Sequence, residues 1–405
     1  MIEPESRAMQ RGSDIFEHAA TASQPTVTSQ RRELDVLFLL NTLGVGGSER
    51  KIVRLANRLT LRRMRVGMAW LNDPESLAPM LSDDIVRWNL GRRGKFSWSA
   101  MTKLKAIVSE HRPRVVLCVN LYPTLYAAGA ALGMGAKRPK LVGLVNTTDF
   151  APGERWRQRF FKQILNRFDW SIFGCKRQLD PWIGTSSEWC KRAEVIYNGI
   201  DLDEFDVPEP DVRRDLRHRR GFTERTFAVG CVGTLNAAKN QCALLEPIAR
   251  LRADGVDARL ILVGDGPLRA RLEAQAAELG IGDSVTFTGL IDDVRPVLAC
   301  LDLFVLPSLY VETFSNAALE AMAMGVPVIL SRIGGADEMI RDGIEGLLIE
   351  PNALEQRLPA ALRELAADVV RLRTMGECAR QRVELDFSLE KMVERYASTI
   401  ERLAG

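Results

Sequence analysis

Histidine is scarce in this chain: only His18, His111 and His218 occur, none beside another histidine or a cysteine. A histidine-built metal site is therefore not expected. The seven cysteines, at positions 118, 175, 190, 231, 242, 300 and 378, are odd in number and scattered, with no Cys-x-x-Cys. That pattern argues against a disulfide framework or a zinc site and fits a reducing compartment. Most of them sit in apolar runs and read as small core residues. No apolar run reaches the roughly 18 residues that a membrane-spanning helix needs. Neither a G-x-G-x-x-G fingerprint nor a Walker loop is present, which leaves nicotinamide and P-loop readings unsupported. Residues 1–30 mix Ser, Thr, Gln, Arg and Glu without an apolar centre. They fit neither a secretory signal nor a packed element and are expected to form a disordered tail.

What remains is an ordinary globular composition, 46% apolar and 26% charged over 405 residues. At about 100–200 residues per domain, two large domains are the natural expectation. The net charge of +3 hides an asymmetry. Arg31–Ile200 carries 29 Lys/Arg against 14 Asp/Glu, whereas Asp201–Gly405 carries 24 against 34. A basic half points to an anionic partner, such as a membrane surface, a lipid-linked phosphate or a nucleic acid. The alternative is a solvated basic face with no partner. Aromatic stacking motifs are absent, so a nucleic-acid partner is not expected.

Apolar runs alternate with amphipathic helical stretches along the chain. In the first half the runs are Asp35–Leu40, Val66–Leu71, Val115–Asn120, Leu141–Val145, Trp170–Gly174 and Glu194–Asn198. In the second they are Phe227–Gly233, Arg259–Gly264, Ser284–Gly289, Leu303–Pro307, Val326–Ser331 and Gly346–Glu350. Continuous apolar strands separated by helices predict parallel sheets covered on both faces. Two such series predict two doubly wound, Rossmann-like domains facing across a cleft, an α/β fold; a TIM barrel would want eight even units around one sheet. The Asn198-Gly199 turn signal and the aperiodic, acidic segment behind it place the join near residue 200. The expected domains are 31–200 and 201–387, with a C-terminal helix, 388–405, that can pack back on the first domain.

The segment Glu312-Thr-Phe-Ser-Asn-Ala-Ala-Leu-Glu320 is the most informative. Ser315 is a plausible N-cap, which puts Glu312 in the preceding loop and Glu320 on the second turn. Such a helix start offers free N–H groups to an anion or a hydroxyl, and the two carboxylates can accept bonds from a sugar and a ribose diol. The competing reading is a pair of solvated surface charges. Upstream stand Val263-Gly264-Asp265-Gly266-Pro267, Gly289-Leu290 and Leu306-Pro307-Ser308; downstream come Gly325-Val326-Pro327-Val328 and Gly334-Gly335. Gly46-Gly47-Ser48 follows a strand and opens a helix, a place where glycine lets backbone approach an anion. Lys239, in Gly233-Thr234-Leu235-Asn236-Ala237-Ala238-Lys239, is placed to neutralise phosphate, or is an ordinary surface lysine.

This ordered set resembles glycosyltransferase family 4, the group 1 glycosyltransferases. Glu312 and Glu320 match the family's E-x7-E spacing, Gly46-Gly47-Ser48-Glu49-Arg50 looks like its G-G-x-E-R, and Asn198-Gly199-Ile200-Asp201 like its domain join. The resemblance spans most of residues 35–385 and implies the GT-B fold. It further implies a retaining, metal-independent hexosyltransferase that needs no cofactor and uses a UDP- or GDP-sugar. By the same resemblance Glu312 and Lys239 carry catalysis. Gly46, Gly47, Thr234, Gly264, Leu290, Ile291, Phe314, Ser315, Asn316 and Glu320 hold the donor: Gly46-Gly47 face the diphosphate, Leu290 and Ile291 lie beside the base, and Glu320 grips the ribose. A glycan or polyprenyl-linked acceptor in bacterial surface polysaccharide assembly is the matching expectation. The basic first domain would meet the cytoplasmic face of the membrane, where the stretch Arg155–Lys162 lies on lipid or is a buried amphipathic helix.

Two departures stand out. The family commonly has Arg directly after the glycine, where this chain has Thr234. Many members also carry a histidine near the sugar, where this chain reads Val145-Asn146-Thr147-Thr148-Asp149-Phe150. Asn146 or Asp149 would contact sugar or acceptor there, or Asp149 caps the next helix. Competing readings are another GT-B enzyme, such as a sugar-nucleotide epimerase, and a sugar-nucleotide-binding protein with impaired transfer.

Overall fold

The computed structural model describes residues 33–44, 46–146, 155–184, 187–310 and 312–405. The residues from Glu33 to Gly405 belong to one compact unit built on two open parallel sheets. The first holds β1 Val36–Leu40, β2 Val66–Trp70, β3 Val86–Asn89, β4 Val115–Val119, β5 Lys140–Val145, β6 Trp170–Phe173 and β7 Ala193–Val195. Their order is β3-β2-β1-β4-β5-β6-β7. The second holds β8 Phe227–Val232, β9 Ala258–Val263, β10 Val285–Gly289, β11 Leu303–Leu306, β12 Val328–Ser331 and β13 Gly346–Ile349. It repeats the same winding, β10-β9-β8-β11-β12-β13. The strand order reverses beside β1 in one sheet and beside β8 in the other. Those are the switch points outside whose carboxyl ends ligands bind in doubly wound folds.

Strand β1 shows why the runs are continuously apolar. All five residues of Val-Leu-Phe-Leu-Leu are buried. Alternate side chains point to opposite faces. Val36, Phe38 and Leu40 join Ile52 and Leu55 of the helix Gly47–Leu61, while Leu37 and Leu39 join Leu104 and Ile107 of the helix Trp98–His111. Strand β3, Val-Arg-Trp-Asn, was not legible in the sequence. It is a short edge strand, exposed at both ends, so nothing requires it to be apolar. Cys190, too, departs from the core reading, since it is exposed while Cys118, Cys175, Cys231 and Cys300 are buried.

The chain passes between the sheets twice, and the two passages touch. Ile200 donates to the Phe387 carbonyl at 2.9 Å, and Leu389 donates to the Ile200 carbonyl at 2.8 Å. A Cβ on Gly199 would come within 2.6 Å of the Ser388 carbonyl oxygen and 2.9 Å of the Leu389 Cα. Beyond this crossing the helix Leu389–Ala404 lies on the first sheet. Leu389, Met392, Val393, Tyr396 and Ile400, one face of a 3.6-residue period, share a core with Val36 and Phe38.

Candidate functional site

The turns that follow β1, β5, β6, β8, β9 and β10 open on one cavity of about 440 Å³ between the sheets. From the first sheet come Gly46, Gly47 and Ser48 at the start of the helix Gly47–Leu61, and Asn146 directly after β5. From the second come Thr234 and Lys239 beyond β8, Gly264 at the end of β9, and Leu290 and Ile291 beyond β10. Glu312, Phe314, Ser315, Asn316 and Glu320 line the same space. Asp149 lies outside the described residues.

The loop carrying Glu312 is held from below by the pair Gly334-Gly335. Gly335 donates to the Thr313 carbonyl at 2.7 Å. Gly334 has φ +54°, and a Cβ there would run into the Glu312 carbonyl oxygen. Ser315 caps the helix Asn316–Ala323, its hydroxyl accepting from Ala318 N at 3.2 Å. The Phe314 ring packs in an aromatic cluster, 5.0 Å from Tyr197 and 5.2 Å from Phe387, and anchors the loop where it lines the cavity.

Lys239 is oriented by Asn236, whose Oδ1 accepts from the Lys239 amide at 3.0 Å. Its ammonium meets the Glu312 carboxylate inside the cavity. Thr234 is exposed and supplies no charge to this wall. Several bonds cross from one sheet's loops to the other's. Thr313 Oγ1 donates to the Asn146 carbonyl at 2.9 Å, Asn316 Nδ2 to the Gly47 carbonyl at 2.9 Å, and Asn198 Nδ2 to the Phe314 carbonyl at 2.7 Å. On the far side of the loop Glu338 accepts from the backbone of Lys176 and Arg177 and from the Tyr197 hydroxyl.

Sequence reasoning named Arg50 only within the G-G-x-E-R match and did not mark Lys51 and Arg54; all three line the cavity from the helix Gly47–Leu61. Positive charge near a helix N-terminus runs against the dipole, and that mismatch was the available signal. Arg54 pairs with Glu204 at 2.8 Å and Arg58 with Asp201 at 2.6 Å, tying this helix to the residues just past the crossing. Lys51 is buried, and desolvation lowers its ammonium to about 8 against the opposing pull of Glu49. Burial pushes Glu320 up to about 7; Arg54 and Arg50 act to lower it and Glu204 to raise it. Asp293, beside Asp292, is bonded by Arg295 and held below the usual carboxylate range. Among the described residues no group of three or more His, Cys, Asp or Glu is gathered as a metal site would need.

Two Rossmann-like sheets with their switch points opposed across a cleft define the GT-B class. The solved structure of Anabaena Alr3699/HepE in complex with UDP has this fold, with a TM-score of 0.78 and 22% identity, covering 91% of this chain and 99% of that one. Residues 45–204 match the family described as Glycosyltransferase Family 4, and residues 226–368 the one described as Glycosyl transferases group 1. The chain belongs to the group 1 glycosyltransferases of family 4. A Corynebacterium glutamicum GDP-mannose-dependent monoacylated alpha-(1-6)-phosphatidylinositol monomannoside mannosyltransferase is 32% identical over 216 residues, 51% of this chain and 56% of that protein. The N-acetyl-alpha-D-glucosaminyl L-malate synthase of Bacillus anthracis is 34% identical over 209 residues, 51% of this chain and 52% of that protein. The chain thus spans about half the length of the curated relatives it matches.

Proposed function

We propose that this protein transfers a hexosyl group from a UDP- or GDP-sugar to a lipid-linked or polysaccharide acceptor in bacterial surface glycan synthesis. The observation that carries this reading is a convergence: the Gly46-Gly47 turn, the Lys239–Glu312 pair and Glu320 surround one cavity between two Rossmann-like sheets. In the reaction the bond from the anomeric carbon to the diphosphate breaks, and charge builds on the leaving phosphate. Cations and helix-start N–H groups aimed at that charge lower the barrier most. Lys239, the amides near Gly46-Gly47 and the start of the helix Asn316–Ala323 take that part. Glu320 holds the ribose, and Glu312 accepts from sugar hydroxyls once a phosphate has drawn Lys239 away.

The transfer is metal-independent in this reading, because side-chain cations already line the cleft. It retains the anomeric configuration, with the leaving phosphate accepting the acceptor's proton, and it uses no cofactor. The basic first domain approaches the cytoplasmic face of a membrane. In the helix Arg155–Leu165, Phe161 and Leu165 are buried while Trp156 and Phe160 are 67% and 46% exposed, so one helix packs inward and presents aromatic rings outward. Among the described residues no helix is long and apolar enough to cross a membrane.

The test is a thermal-shift and hydrolysis screen across nucleotide sugars. A donor that raises the melting temperature and is hydrolysed or transferred supports the reading; a chain that binds none of them sinks it. Thr234, which leaves the second sheet's wall one cation short, favours a second reading, a sugar-nucleotide-binding protein with impaired transfer. A donor that stabilises the fold without any turnover would favour it over the first.

A further inference from the structure

A lysine ammonium has three protons to donate and no acceptor of its own. Lys51 Nζ gives one to Asn198 Oδ1 at 3.0 Å and one to Asn146 Oδ1 at 3.3 Å. Both amides are locked with their oxygens toward it, because their nitrogens are committed elsewhere: Asn198 Nδ2 to the Phe314 carbonyl and Asn146 Nδ2 to Ser48 Oγ at 3.1 Å. The third N–H has no acceptor among the described residues, and Lys51 forms no ion pair among them. Yet the residue is only 6% exposed. A buried ammonium facing neutral oxygens is costly, and such sites persist where a counter-ion arrives or where function demands the charge. The fall of its ammonium to about 8 through desolvation expresses the same deficit.

Lys51 lines the cavity together with the Gly46-Gly47 helix start and with Lys239 on the opposite wall. Lys239 has Glu312 as its partner, and Thr234 beside it brings no charge. An anion entering this space therefore meets Lys239, paired with Glu312, from the second sheet, and from the first Lys51, which has no ion pair among the described residues, with Arg50 and the Glu204-paired Arg54 beside it. Resting on the proposed function, we infer that Lys51 is a phosphate-binding residue that contacts the donor's diphosphate from the first sheet's side of the cleft.

The experiment is calorimetric titration of UDP, GDP, uridine and guanosine into the wild-type chain and into Lys51→Met and Lys51→Gln, with melting curves of each unliganded protein. Charge-assisted hydrogen bonds of this kind correspond to about a 10- to 100-fold change in affinity. Both variants are expected to lose that factor for the diphosphate and little for the nucleoside, and to melt no lower than wild type. Lys51→Gln keeps two N–H donors for the asparagines, so it carries the comparison if Lys51→Met does not fold. Undiminished diphosphate affinity in the variants overturns the inference. So does an equal loss for nucleoside and diphosphate with a lowered melting temperature, since that marks a structural lysine. A wild-type chain that binds neither UDP nor GDP instead overturns the proposed function, and the inference with it.

Discussion

Inside the cleft Lys239 Nζ donates to Glu312 Oε2, so the cation proposed to meet the diphosphate and the carboxylate proposed to meet the sugar satisfy each other. Both side chains are largely shielded, 22% and 17% exposed, so water does little to weaken their bond. A donor that takes Lys239 releases Glu312, which makes the pair a competitor of the ligand as well as its binding site. Lys239→Ala should weaken UDP or GDP binding about 10-fold or more. Glu312→Gln should bind the same nucleotide as tightly as wild type, or more tightly, while its kcat falls by about 100-fold or more. Titration calorimetry and initial rates check the two halves. A nucleotide-affinity loss in Glu312→Gln equal to that in Lys239→Ala would refute the competition.

On the proposed function, Glu320 should make donor affinity depend on pH. Burial pushes its carboxyl up to about 7, above its ordinary value of 4.5. A ribose diol presents two O–H donors, which an ionised carboxylate accepts better than a protonated one. Nucleotide affinity should therefore fall as pH drops from about 8 toward 6, and Glu320→Gln should flatten that dependence. For stability the sign is opposite. The raised folded-state value means that this group favours folding fully below pH 4.5, and that the favour is lost as pH rises through about 7. Melting curves of wild type and Glu320→Gln across that window check the sign.

Gly334 tests the support under Glu312. With φ +54° and no room toward the Glu312 carbonyl, an added methyl group must displace the loop. Gly334→Ala should lower kcat well before it lowers nucleoside affinity, because the base contact proposed for Leu290 and Ile291 lies on another loop and the proposed ribose contact, Glu320, sits on the helix past the Ser315 cap. Shifts of about 1 Å at such positions cost on the order of 100-fold in rate. Equal losses in kcat and nucleoside affinity would point to general unfolding.

Gly199 tests the crossing. A methyl group there meets the Ser388 carbonyl, Met392 and Leu389 at 2.6–2.9 Å, in segments that hold the last helix on the first sheet. Overpacking of this kind typically destabilises by about 1–3 kcal/mol. Gly199→Ala should lower the denaturation midpoint by an amount in that range. An unchanged midpoint would mean that the two passages separate without cost.

The strands were legible in the sequence wherever helices cover both faces, because burial on two sides demands unbroken apolar runs such as Val36–Leu40 and Leu303–Leu306. Strand β3 was not, since an edge needs no such run. Ser315 was readable as a cap, because that choice is made within three residues of chain. Phe314 was not readable in the same way. Its motif position marked it as a donor-site residue, and it does line the cavity, but its packing on Tyr197 and Phe387, both remote in sequence, belongs to the fold. Lys51 was passed over because its surroundings are built from Asn146 and Asn198, about 95 and 147 positions away.

By itself, then, the sequence determined the two doubly wound sheets and the spacing of Glu312 and Glu320, consequences of local periodicity and turn chemistry. Tertiary structure alone decided which charges meet: Lys239 with Glu312, Arg54 with Glu204, and Lys51 with two amide oxygens and no carboxylate among the described residues. The reason is physical. Propensity acts between neighbours in the chain, whereas desolvation and ion pairing depend on distance in space, which exists only once both sheets have folded and closed on each other.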